Sequence, residues 1–207
     1  MASAVLFRKT TQWFDRAKAN LLDNLPCRQG CSHCCIGLFP VTLLDCLELQ
    51  RGLESLPTED RQRVEGKARE QVSLLQMAAS RLTADPFIDV WSDEEIDKVI
   101  DQFGSLPCPA LDKDGRCGLY EFRPLACRSM GIPPDDGRSV VGACAVQTSV
   151  PLVRLSPSLR DEEHALARLE ADQLEKLRVS SDSVGEEVFL PYAFSSEFRI
   201  RSGKGMS

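Results

Sequence analysis

Four cysteines fall within nine residues of this chain, in the pattern Cys27-x3-Cys31-x2-Cys34-Cys35. A free cysteine packs as a small hydrophobe. That explains an isolated one, but not four in a segment that also holds Arg28, Gln29, Gly30, Ser32 and His33. The choice is therefore between disulfides and metal or redox chemistry. The N-terminus, MASAVLFRKTTQWFDRAKANLLDNL, has no apolar stretch long enough for a signal peptide. The chain is expected in the reducing cytosol, where disulfides are rarely kept. The total of nine cysteines is odd, which fits a full set of disulfides poorly. Gaps of two or three residues let one loop wrap a single ion or cluster. The adjacent pair Cys34-Cys35 suits a multinuclear cluster, two nearby metals, or one ligand plus a spare thiol, because neighbouring side chains diverge.

A second group is spaced Cys108-x8-Cys117-x9-Cys127-x16-Cys144. Its members lie around turn signals. Asp114-Gly115 predicts a tight turn between Pro109–Leu111 and Cys117–Tyr120, giving a small β-hairpin. Pro124 suits the first turn of a short helix carrying Cys127, and Gly142 precedes Cys144. Cys46 sits beside Leu43, Leu47, Leu49 and Leu53 in an amphipathic helix and reads as core. Eight candidate ligands remain, enough for two four-sulfur sites or one site with reserve thiols. Neither group has an apolar core of its own, so the two are expected to meet at a shared centre. Of the two histidines, His33 lies among the candidate ligands and is either a ligand, a donor to a thiolate or a solvated loop residue. His164 reads as solvated.

The remainder predicts a mainly α fold: one helical domain over residues 1–200 with cysteine-rich loops, followed by a disordered tail at 201–207. Leu6, Trp13, Ala17 and Leu21 form one stripe of an N-terminal helix. Thr42 and Asp45 make a capping box for a helix reaching about Leu56. A second helix spans about Glu59 to Leu82, burying Val64, Ala68, Val72, Leu75, Ala79 and Leu82. Ser92 and Glu95 form another capping box, with Trp91 and Ile96 as a hydrophobic staple. A long helix opens at Ser156-Pro157 and presents Leu159, Leu166, Leu169, Leu174 and Leu177 on one face. No apolar run approaches the roughly 18 residues that cross a bilayer. A net charge of −6 argues against general nucleic-acid binding. No Ser/His/Asp or paired-carboxylate constellation stands out, and no glycine-rich cofactor loop follows a strand.

The run CRQGCSHCC, followed by PCPALDKDGRCGLYEFRPLACRSMG and then Cys144, resembles the YkgJ-type cysteine-cluster family, known for a CxxCxxCC motif and described as zinc- or iron-chelating. The resemblance extends from about Cys27 to Cys144. The first gap here has three residues rather than two. The resemblance implies a ligand set of Cys27, Cys31, Cys34, Cys35, Cys108, Cys117, Cys127 and Cys144. It also matches Tyr120, Glu121, Arg123, Pro124 and Arg128. Arg123 and Arg128 are expected either to offset thiolate charge or donate hydrogen bonds to sulfur, or to form structural salt bridges with Glu121 or Asp112. Family members are often labelled iron–sulfur oxidoreductases, and related domains occur in enzymes that methylate flagellin lysines. The expectation is a metal-binding protein, with an iron–sulfur cluster and a redox role. The alternatives are a zinc-binding structural or interaction module, or a module related to lysine methylation.

Overall fold

A computed structural model describes residues 2–21, 30–142, 152–181, 183, 185–195 and 198. Cys27, Cys144 and the tail at 201–207 lie outside the described residues. Among those described, the fold is mainly helical, with one two-stranded antiparallel sheet.

Helix α1 (Ala2–Leu21) buries Leu6, Phe7, Trp13, Ala17 and Leu21 along one stripe. That stripe packs against α7 (Pro157–Ser181) and α6 (Leu125–Ser129). The Trp13 indole Nε1–H donates to the Leu159 carbonyl at 2.9 Å, which satisfies the one polar atom of that ring. Helix α2 (Leu43–Ser55) opens on the expected capping box: Thr42 Oγ1 accepts from Asp45 N, and Asp45 accepts from Thr42 N. Leu56 closes it in an extended conformation, the one that a following proline favours.

The second long helix ends earlier than its stripe suggests. α3 covers Thr58–Ala78, Ala79 turns extended, and a separate turn α4 (Arg81–Ala84) delivers Leu82 to the core. The break is held by tertiary bonds, since the Leu82 carbonyl accepts from Tyr192 Oη at 3.2 Å and Gln76 Nε2 at 3.4 Å. α5 (Asp93–Gln102) carries the Ser92–Glu95 capping box, and Trp91 and Ile96 both pack on the main core.

β1 (Pro40–Thr42) pairs with β2 (Glu187–Phe189), placing Val41 opposite Val188. β2 and the short helix α8 (Leu190–Ala193) belong to the apolar run Val188–Phe194, whose residues other than Pro191 join the main core with Cys46, Leu49, Leu53, Val64 and Leu75. The predicted hairpin is reduced to a single antiparallel bridge, Leu111 to Cys117, and Tyr120 already belongs to a 3₁₀ turn, Tyr120–Phe122. No helix among the described residues is long and apolar enough to cross a membrane.

Candidate metal centre

Two chain segments bring the cysteines together. Ser32 leads into a 3₁₀ turn, His33–Cys35, in which Cys35 N donates to the Ser32 carbonyl at 2.9 Å. The chain then pairs with the start of the second cysteine segment. Ile36 bridges Pro107, Cys108 N donates to the Cys35 carbonyl at 2.7 Å, and Gly37 N donates to the Leu106 carbonyl at 2.8 Å. α3 anchors this seam, with Gln71 Nε2 donating to the Pro107 carbonyl at 2.8 Å and Lys67 Nζ to the Leu111 carbonyl at 2.9 Å.

Beyond the seam, Asp112 organises the turn that leads to Cys117. Its carboxylate accepts from Asp114 N at 3.0 Å and Arg116 N at 2.7 Å, while Gly115 takes φ +75°, a conformation glycine adopts without a side-chain clash. A side chain on Gly115 would point towards Ser32 Oγ at 3.7 Å, so the tip of this turn rests beside the first cysteine loop. The following 3₁₀ turn lies directly on α2. At Gly52, a Cβ would fall 2.6 Å from Phe122 Cβ and 3.0 Å from Leu119 Cδ2, which explains a glycine in a helix interior. Cys127 then enters on α6, whose Leu125 N donates to Asp45 Oδ1 at 2.8 Å.

The result is one cavity of about 210 Å³ whose wall includes Cys31, Cys34, Cys35, Cys108, Cys117 and Cys127. Cysteines of both groups therefore face the same cavity. Cys46 is fully buried among the core residues and does not line the cavity. His33 and His164 are exposed and also lie outside the lining.

The thiols differ in environment. Cys34 and Cys35 share a hydrogen bond, which brings the Cys34 thiol down to about 6, helped by its own backbone and by Arg123. The same bond, with burial, pushes Cys35 far up. Burial raises Cys108 to about 12 and also raises Cys117 and Cys127. As the thiols stand, no three Cys, His, Asp or Glu side chains among the described residues converge to hold an ion. Metal binding therefore requires the thiols to draw closer together and lose protons, including the one shared by Cys34 and Cys35. The donor chemistry fits iron or zinc, both of which take thiolate ligands.

The two motif arginines separate. Arg123 lines the cavity and stacks on Tyr120, with its guanidinium carbon 3.7 Å from the ring centroid, and its buried Nε has no hydrogen-bond partner. Arg128 is 5% exposed and lies outside the lining. Its guanidinium donates to the carbonyls of Arg123 (2.9 Å) and Glu121, and to Thr11 Oγ1 at 2.7 Å. Its ion partner is buried Glu48 at 3.6 Å, rather than the expected Glu121 or Asp112 carboxylates. Arg128 thus ties α1, α2 and the Glu121–Arg123 turn together. Sequence reasoning missed Gly52 and the Glu48 pairing, whose signals are a glycine mid-helix and a glutamate among buried leucines.

Comparison with curated proteins and with solved structures gave no match. A family model described as "CxxCxxCC: Putative zinc- or iron-chelating domain" matches residues 26–136, which hold seven of the eight cysteines sorted above as ligand candidates, Cys144 falling beyond. With that match spanning more than half of the chain, and with cysteines of both groups brought to one cavity, the protein belongs to the CxxCxxCC family of zinc- or iron-chelating domains.

Proposed function

We propose that the cavity thiols hold an iron–sulfur cluster and that the protein serves a redox role. One observation carries this reading: six thiols from two distant stretches of sequence line a single cavity. A mononuclear zinc site takes four ligands, which would leave two of these thiols idle. The cavity is also roomy, with space for on the order of ten waters. An iron–sulfur cluster supplies electron-transfer chemistry. The chain's own residues would supply thiolates from Cys31, Cys34, Cys35, Cys108, Cys117 and Cys127, with Cys27 and Cys144 completing the proposed set of eight. Arg123 would oppose the thiolates' negative charge, and the apolar walls would limit access of water. Zinc in a structural module is the alternative, drawing on the same donors.

The test is purification of the full chain under anaerobic conditions with iron supplied. The cluster reading expects a brown protein with broad absorption near about 400 nm and acid-labile sulfide. A colourless protein with stoichiometric zinc and no iron would establish the alternative.

A further inference from the structure

The chain has 31 acidic and 25 basic residues, yet the described lining of the thiol cavity reverses that balance. It includes Lys18, Arg116 and Arg123 and no aspartate or glutamate. The three come from separate elements. Lys18 stands on α1 one turn beyond Phe14, so both project from the same helix face into the wall. Arg116 follows the Gly115 turn, and Arg123 follows the 3₁₀ turn that carries Tyr120. None of the three has a carboxylate partner among the described residues.

The positions of these cations matter as much as their number. Lys18, Arg116 and Tyr120 are exposed and form the rim, while Leu119, Leu190 and Phe194 are buried at the base. The Arg123 guanidinium carbon sits 3.7 Å from the centroid of the Tyr120 ring, and its buried Nε–H has no partner. A buried donor without a partner is unfavourable, and an oxyanion is the partner a guanidinium fork best accommodates. Phe14 and Phe39 add apolar surface to the cavity wall.

We propose that the mouth of the thiol cavity binds a small organic anion, with a carboxylate or phosphate head held by Arg116, Arg123 and Lys18 and an apolar body seated on Phe14 and Phe39. The inference rests on the metal reading in one respect: thiols engaged with metal leave the rim cations to a second guest. The anion would then lie beside the metal centre, in the place of a substrate.

The experiment is calorimetric titration of the anaerobically purified full chain with benzoate, phenyl phosphate and, as a neutral control of similar shape, benzyl alcohol. It is repeated on Arg116→Gln, Lys18→Gln and the double variant, with metal content measured on every sample. The proposal expects saturable binding of at least one anion, at least about tenfold tighter than benzyl alcohol. Each substitution should weaken it about threefold or more, the double variant about tenfold or more, with metal content unchanged. Which of the two anions binds more tightly assigns the head group. No saturable binding of either anion, or affinity indifferent to the double substitution, overturns the proposal. Metal content reports separately on the metal reading. A metal-free protein that binds benzoate through Arg116 and Lys18 would sink that reading and keep this one.

Discussion

Replacing Arg128 by alanine should destabilise the protein by about 3–4 kcal/mol. The side chain is 5% exposed and donates three hydrogen bonds, to the carbonyls of Glu121 and Arg123 and to Thr11 Oγ1. Its removal leaves two carbonyls without that donor, each worth about 1–3 kcal/mol where water cannot replace it. It also withdraws one of two partners from Glu48, which is 4% exposed. Breaking a buried ion pair costs about 3–5 kcal/mol. Glu48 keeps Arg51 at 2.7 Å, so losing Arg128 costs far less than breaking the whole pair, and the two carbonyls, together about 2–6 kcal/mol, set the total. Arg128→Lys keeps the charge but loses the fork, and should cost roughly 2 kcal/mol. In a chain of this size each kcal/mol lowers Tm by about 2–4 °C, so the alanine variant should melt roughly 6–16 °C lower. Urea unfolding followed by far-UV circular dichroism, with metal and after chelation, is the assay. A similar loss in both states is expected. A change below about 1 kcal/mol, or one seen only with metal present, would refute the clamp and restore a charge-offsetting role.

Other substitutions test the surrounding framework. Gly52→Ala adds a methyl 2.6 Å from Phe122 Cβ, so overpacking of about 1–3 kcal/mol should outweigh the gain of about 1 kcal/mol in helix propensity, and metal content should fall as the Cys117–Arg123 turn is pushed off α2; thermal melts and metal analysis check this. Replacing Cys31, Cys34 or Cys127 by Ser should lower metal content and stability together, whereas Cys46→Ala should leave metal content unchanged, since Cys46 lies in the core. Burial raises Asp45 from 3.8 to about 6, outweighing the hydrogen bonds it accepts from Leu125 and Thr42. The folded state then holds a proton that the unfolded state has released, so Asp45's contribution is full below about 4 and lost as pH rises through about 6. The stability of Asp45→Asn relative to the parent should therefore rise across that window in urea titrations; a flat difference would contradict the buried-carboxyl account.

What could be read from the sequence was local. Thr42 with Asp45 and Ser92 with Glu95 announce helix starts because each capping box is complete within four residues. The α1 stripe and the core position of Cys46 follow from helical periodicity in the same way. The β1–β2 sheet did not show, because three-residue strands carry almost no alternation and their pairing joins Val41 to Val188 across most of the chain. The break after Ala78 depends on Tyr192 and Gln76 reaching the Leu82 carbonyl, which no local pattern encodes. At the site, spacing and turn signals pointed to candidate thiols, six of which line the cavity, while their assembly required the Ile36–Pro107 bridge and the Gly52 contact. The roles of Arg123 and Arg128 looked interchangeable as motif letters. They diverge because one faces the cavity and the other points into the seam between α1 and α2.

X-ray absorption on the anaerobically purified, metal-loaded full chain tests the central claim most directly. The account predicts an iron edge, a nearest-neighbour shell made of sulfur at about 2.3 Å, close to the metal–thiolate distance known for zinc, and a further iron–iron shell from a cluster. Serine replacement of Cys34 in one loop, or Cys117 in the other, should each disturb that shell. A shell dominated by nitrogen or oxygen, or one that both replacements leave intact, would contradict a thiol-bound metal shared between the two cysteine groups.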